Sequence, residues 1–250
     1  MSYQIIQNNL YDDDSLWRYM DLAKYLSLLS SKTIWLARPD TFKDLREGSF
    51  PESMIHELDG IYAALSKRPD FTGNHLVNNT EDFQNYLKQN TFISCWHRSI
   101  EESMIMWEIY GRESNSIAIK TKVTNLKRSF DIDELYRTFA IEVALDSVIY
   151  TNSANIQSEQ NYRLPYFIKR EHFAFEREAR LYIRSKEQYS SSNSPSGYSL
   201  QVDLNTLIEC VYVHPDADEW FLSTIKDVTH KYLPQVSVTR GVCGNKVCAP

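Results

Sequence analysis

Residues 173–183 read "FAFEREARLYI", and strand-like alternation would put Glu176, Glu178, Arg180 and Tyr182 on one face. Arg177, Ala179, Leu181 and Ile183 would face the other way. Such a row of charges suits a solvated strand face, a ladder of ion pairs or the working edge of an active site. In "LWRYM", Arg18 alternates with Trp17 and Tyr19 and so points away from both. It suits a weak surface ion pair. It is also one of two side chains, with Arg38, placed to hold a phosphate, since 7 glycines build no glycine-rich phosphate loop in this chain. In "FISCWH", Phe92, Ser94 and Trp96 share one face, and Ile93, Cys95 and His97 share the other. Ser94 is then either packing filler or a hydroxyl that orients a carboxylate.

A sheet is needed to bring these stretches together. Residues 16–20 read as a strand, and Asp21 is placed to cap a helix whose Leu22, Leu26 and Leu29 recur at helical spacing. "TIWLA" is a second strand, stopped by Pro39, and 91–97 a third. Ser99 and Glu102 have capping-box spacing ahead of a helix that buries Met104, Ile105, Trp107 and Ile109 and stops at Gly111. "SIAIKTK", "FAIEVALDSVIY", "EARLYIR", "YSLQVDL", "IECVYVH" and "QVSVTR" read as later strands. Asp216 with Glu219 opens a helix that Pro234 ends. Residues 44–90 are polar, with short apolar periodicities, and read as helices and loops covering the sheet. The irregular alternation predicts one α+β domain over residues 1–250, with a mixed or antiparallel central sheet flanked by helices.

A net charge of -6 excludes a broad grip on nucleic acid but leaves room for one phosphorylated small molecule. No apolar run of about 20 residues predicts a membrane span. The polar, acidic start does not resemble a secretory signal, so a cytoplasmic protein with reduced thiols is expected. Cys95, Cys210, Cys243 and Cys248 form no CxxC pair, and the six histidines are scattered, so no metal is expected. His97 and His172 stand beside candidate strands and read first as hydrogen-bonded or surface residues. Cys95 reads as a small buried hydrophobe.

The chain order of arginine strand, serine–aromatic strand and Glu-x-Glu resembles the Arg…Ser…Glu-x-Glu pattern of ADP-ribosyltransferases. A broader resemblance covers most of the chain. "LWRYMDLAKYLSLLSSKTIWLARPDTFKD", "FISCWHRSIEESMIMWEIYG", "YFIKREHFAFEREARL" and "VDLNTLIECVYVHPDADEW" look like successive blocks of a bacterial family known as domain of unknown function 2971. "DLREG" at 44–48 departs from that family's pattern, which more often has a proline and an aromatic after the aspartate. The transferase resemblance implies an ADP-ribosyltransferase-like fold and NAD as substrate, cleaved at the nicotinamide–ribose bond, with ADP-ribose passed to an unknown macromolecular acceptor. A bacterial toxin or phage-defence effector would act in this way. Under it, Glu178 holds the ribose and offsets the oxocarbenium charge, and Glu176 takes a proton from the nucleophile. Ser94 would fix Glu178, Arg18 would pair with the diphosphate, and Trp96 or Tyr110 would stack on nicotinamide. Tyr19 and Arg38 complete the expected nucleotide contacts.

Other classes fit the same residues. The pocket would hydrolyse NAD if water were the acceptor. A ligand- or partner-binding domain would use Glu176, Glu178 and Arg180 as an ion-pair ladder with Lys169, Arg170 or Arg184. A nuclease would draw on Asp146 ahead of the Glu-x-Glu, but it lacks the lysine such sites use.

Overall fold

The computed structural model describes residues 3–42, 44, 46–68, 77–152 and 161–242. Strand β1 (Ser15–Met20) leads into helix α1 (Leu22–Ser31), capped by Asp21, which accepts the Lys24 backbone N–H at 2.8 Å. Strand β2 (Thr33–Ala37) ends ahead of Pro39, and helices α2 (Glu52–Leu65) and α3 (Thr80–Gln89) occupy the polar region expected to cover the sheet. Strand β3 (Thr91–Arg98) precedes a helix α4 of one turn (Met104–Met106), which runs into a π-helical turn at Trp107–Gly111. Then come β4 (Ile117–Lys122), the unanticipated short helices α5 (Val123–Arg128) and α6 (Ile132–Thr138), β5 (Ala140–Ser147), β6 (Ile149–Tyr150) and β7 (Ile168–Lys169). The chain closes through β8 (Glu178–Ser185), β9 (Gly197–Gln201), α7 (Leu204–Leu207), β10 (Cys210–Val213), α8 (Glu219–Tyr232) and β11 (Ser237–Arg240).

Nine of these strands make one mixed sheet in the order β11–β10–β4–β1–β3–β2–β9, with β8 along the other edge of β3 and β5 beyond it. Only β10 and β11 run parallel within it. The fold is thus α+β, a mixed central sheet flanked by helices. Strand β3 is its branch point. One edge pairs with β8 from Thr91–Arg184 to His97–Glu178. The other edge is shared, with β1 at Trp17–His97 and Leu16–Arg98 and β2 at Ala37–Ile93, so the sheet forks there.

Paired residues point to the same face. One face carries Leu16, Met20, Phe92, Trp96, Ile119, Ala179 and Leu181, which join α1, α5 and α8 in the main apolar core. The other face holds two smaller clusters. Trp17, Tyr19, Met106, Trp107 and Ala118 form one, and Ile93, Ala144, Tyr166, Phe167 and Tyr182 form most of the other with α2. Between them, at the level of His97, Cys95, Glu178 and Arg180, the seam is charged.

Two helix starts differ from the expected caps. Ser103, not Ser99, caps α4, and Asp218, not Asp216, occupies the cap position of α8. Glu102 instead accepts the Trp107 indole N–H at 2.9 Å. The π-helical turn holds an extra residue per turn, which rotates the apolar stripe. Met106 and Trp107 are buried, while Ile105 is 52% exposed and Ile109 partly so. Cys95 and Cys210 are free thiols; Cys243 and Cys248 lie outside the described residues. Among the described residues no helix is long and apolar enough to cross a membrane.

Candidate functional site

Strand β8 begins at Glu178, where "EARLYIR" puts it, and the alternation of "FAFEREARLYI" does not continue back to Glu176. Residues Glu171–Glu176 form a 3-10 segment, and Arg177 turns the chain through the left-handed region at φ 42° and ψ 50°. Glu176 therefore does not sit on the strand face. On a strand, residues two apart are separated by about 6.6 Å. The corner instead folds Glu176 back, so that its carboxylate and that of Glu178 share one ammonium. Lys169 Nζ donates to Glu178 Oε1 at 2.7 Å and to Glu176 Oε2.

Three contacts pin the corner. His97 Nδ1 lies 2.6 Å from the Glu176 carbonyl oxygen, and the Arg98 N–H donates to the Arg177 carbonyl at 2.8 Å. The Glu178 N–H donates to the Tyr150 hydroxyl at 2.7 Å. Beyond the corner, Arg180 Nε reaches Glu178 Oε2 at 2.6 Å, and its two terminal nitrogens grip Glu47 at 2.8 and 2.9 Å. The Tyr166 carbonyl takes a further bond from Arg180 at 2.8 Å. Tyr110, from the π-helical turn, donates its hydroxyl to Glu176 Oε1 at 3.0 Å.

The half-exposed strand face does not exist. Strand β8 lies between β3 and β5 with both faces packed, leaving Glu178 5% and Arg180 1% exposed. Burial alone would push the Glu178 carboxyl up. The Arg180 guanidinium, a hydrogen bond from Glu176 and the Lys169 ammonium outweigh it and hold Glu178 well below the usual carboxylate range. Glu176 goes the other way: burial, then the bond and charge of Glu178, push it up to about 7 despite Lys169. One carboxylate of the pair stays ionised, and the other takes up a proton near neutrality. Burial would lower the Lys169 ammonium, but Glu178 and Glu176 raise it above its usual value. Burial lowers the pKa of His97, favouring the neutral ring whose Nδ1–H suits the Glu176 carbonyl.

The expected residues thus separate into two groups. Ser94 pairs with Leu181 and His97 with Glu178, so Ser94 and Glu178 occupy opposite faces of the sheet. Ser94 does not fix Glu178. Its hydroxyl accepts from Arg18 Nη1 at 2.9 Å, while Arg18 Nη2 spans the fork to the Trp35 carbonyl at 3.0 Å. The Arg18 guanidinium lies 5.5 Å from the Trp96 ring centre. Arg18, Ser94 and Trp96 therefore form their own cluster, away from the Glu178 face. Arg38 ties a loop through Asp40 at 2.6 Å and the Ser194 carbonyl at 2.8 Å. Tyr19 does share the Glu178 face: its ring lies 6.2 Å from His97, and its hydroxyl accepts the Ser103 N–H at 2.8 Å. Tyr110 reaches Glu176 with its hydroxyl in place of the expected stacking role. His172 is exposed against Phe173, and Asp146 accepts the Asn9 N–H at 2.8 Å.

The residues that sequence reasoning missed are Glu47 and Tyr150. Glu47 sits in the "DLREG" turn, beside Gly48 at φ 68°, whose Cβ would meet the Tyr166 ring. Tyr150 ends the "FAIEVALDSVIY" stretch read as a strand, but its pairing with Ile168–Lys169 and its hydroxyl on the Glu178 N–H are long-range and leave no local pattern. A cleft of about 460 Å³ opens at the strand ends, lined by Asp14, Arg98, Ile100, Tyr150, Arg177 and Glu178 among others. A second opening, about 250 Å³, reaches Glu47 and Lys169 beside Arg46, Arg170 and Asp44. Among the described residues no group of three or more His, Cys, Asp and Glu is arranged to hold a metal ion.

No protein-family model matches the chain, and no curated protein matches it. Among solved structures it is similar to Thermus sp. 2.9 DarT in complex with ADP-ribosylated ssDNA, at a TM-score of 0.39 and 9% identity over 94% of this chain and 97% of that one. It is similar also to Thermus sp. 2.9 DarT in complex with carba-NAD+, at a TM-score of 0.39 and 8% identity over 92% and 96% of the two chains.

Proposed function

We propose that this chain cleaves the nicotinamide–ribose bond of NAD at Glu178 and transfers ADP-ribose to an acceptor. One observation carries the reading: Glu178 is a buried carboxylate kept ionised at the rim of an open cleft, with a second carboxyl beside it that titrates near neutrality. Nicotinamide leaves with the electrons of the C–N bond, and the ribosyl carbon becomes an oxocarbenium-like cation. Glu178, itself buried, offsets that charge. Ionised Glu176 accepts the proton of the incoming nucleophile as its oxygen or nitrogen bonds to the ribosyl carbon. Lys169 holds the two carboxylates in register and carries no part of the reaction itself. Water in place of the acceptor gives NAD hydrolysis by the same steps. A bacterial toxin or phage-defence role is the setting such an activity suits.

A specific observation favours a second, non-catalytic reading. Both Glu178 oxygens already have cationic partners, Lys169 at 2.7 Å and Arg180 at 2.6 Å, which is how a purely structural ion-pair network would look. Nicotinamide release from NAD separates the two. Under the catalytic reading Glu178→Gln slows release about a hundredfold or more. Under the structural one, wild type releases none, or Glu178→Gln releases it at the wild-type rate.

A further inference from the structure

We infer that the cleft beside Glu178 binds the diphosphate of a nucleotide through Arg177 and Arg98, with Arg177 as its specificity-determining contact. The inference rests on Glu178 being the ribosyl centre, and it supplies the phosphate anchor which Arg18, on the other face of the sheet, does not.

Arg177 stands where glycine would be easiest. The left-handed region is strained for a non-glycine residue, and the φ of 42° is held by the backbone bond from Arg98. Its side chain is exposed, lines the cleft and makes no hydrogen bond or ion pair among the described residues. The other cations near Glu178 are committed: Lys169 to Glu176 and Glu178, Arg180 to Glu178 and Glu47. Arg98 enters the cleft from the end of β3, oriented by Asp14 at 2.9 Å and the Asn9 carbonyl at 3.3 Å. That leaves its guanidinium half-exposed and already aimed.

The ligand class follows from charge, connectivity and size. Arg177 and Glu178 line the same cleft, so an anion on the guanidinium and a sugar at Glu178 share one opening, as the connected parts of a ribose 5′-diphosphate require. A cleft of about 460 Å³ exceeds the needs of free phosphate, and Tyr150 and the 84% exposed Ile100 offer apolar surface for a base. The second opening is a poorer candidate. Three carboxylates, Asp44, Glu47 and Glu52, line it, and its Lys169 is consumed by Glu176 and Glu178.

Isothermal titration of the full chain with ADP-ribose, ADP, adenosine and inorganic phosphate tests this. ADP-ribose and ADP should bind, with adenosine and phosphate each at least about tenfold weaker, the scale of a lost charge-assisted bond. Arg177→Gly removes the guanidinium and relieves the left-handed strain. It should weaken ADP-ribose at least about tenfold while the Tm holds or rises; Arg177→Lys should recover part of the loss, and Arg98→Gln should also weaken binding. Wild-type affinity in Arg177→Gly, or adenosine binding as well as ADP, overturns the inference. Phosphate binding as well as ADP overturns its nucleotide part. The two claims fail separately. Arg177-dependent ADP-ribose binding with a Glu178→Gln variant that still releases nicotinamide removes the catalytic reading and leaves the binding site. Nicotinamide release that needs Glu178 but not Arg177 does the reverse.

Discussion

The two faces of strand β3 handle polar groups in opposite ways. On one face Ser94 and Arg18 meet beside Trp96 over a large apolar core, and the arginine is satisfied by a hydroxyl and a carbonyl with no carboxylate on it. On the other face His97 and its neighbour Glu178 belong to a chain of three glutamates, a lysine and an arginine, tied together end to end. The first arrangement closes a fork in the sheet. The second concentrates charge next to an opening, and it does so with one carboxylate more than it has cations. The surplus carboxyl is Glu176, which shares the Lys169 ammonium with Glu178 and accepts the Tyr110 hydroxyl.

Breaking each face should expose the difference. The largest stability effect is expected from Arg180→Met, which leaves Glu47 and Glu178 buried without their shared guanidinium. Removing one partner of a buried pair costs about 3–5 kcal/mol, and a urea melt at pH 8, where carboxyls are ionised, should show it.

Glu176→Gln should act through pH. The folded carboxyl takes its proton at about 7, above its usual value of 4.5, so the native state holds more protons than the unfolded chain between the two. Wild-type stability therefore falls as pH rises through that window. The glutamine variant should lose this fall and become the more stable protein at pH 8, as chemical denaturation across pH 4 to 8 would reveal. Glu178 contributes in the opposite sense: its depressed pKa adds stability above the usual carboxylate range, lost only in strong acid.

Arg18→Met should have the smallest effect. It removes two hydrogen bonds and a cation–π contact at a half-buried position but strands no buried charge. About 1–2 kcal/mol is expected in the same melt. A loss as large as that of Arg180→Met would erase the contrast between the faces.

Much of the architecture was legible because alternation and capping are local. The strands around Arg18, Ser94 and Arg180 fall where their apolar patterns put them, and Asp21 caps α1 as its position suggests. The site was only half legible, for two physical reasons. Within a strand, alternation says which residues share a face, but register decides which face meets which face of the neighbour, and a slip of one residue inverts the answer. Ser94 pairs with Leu181, so the serine joined the apolar face and His97 took the place beside Glu178. The second reason is the corner at Arg177, where no glycine marks the left-handed residue that takes Glu176 off the strand. Glu47 arrives from a distant turn, and no local pattern links it to Arg180.

The most direct test sets the two faces against each other in one assay, nicotinamide release from NAD by Glu178→Gln and Ser94→Ala. With Glu178 as the reacting carboxylate and Ser94 on the far side of the sheet, release should drop about a hundredfold or more in the first variant and stay within about threefold in the second. Release that survives in Glu178→Gln and disappears in Ser94→Ala would contradict the account.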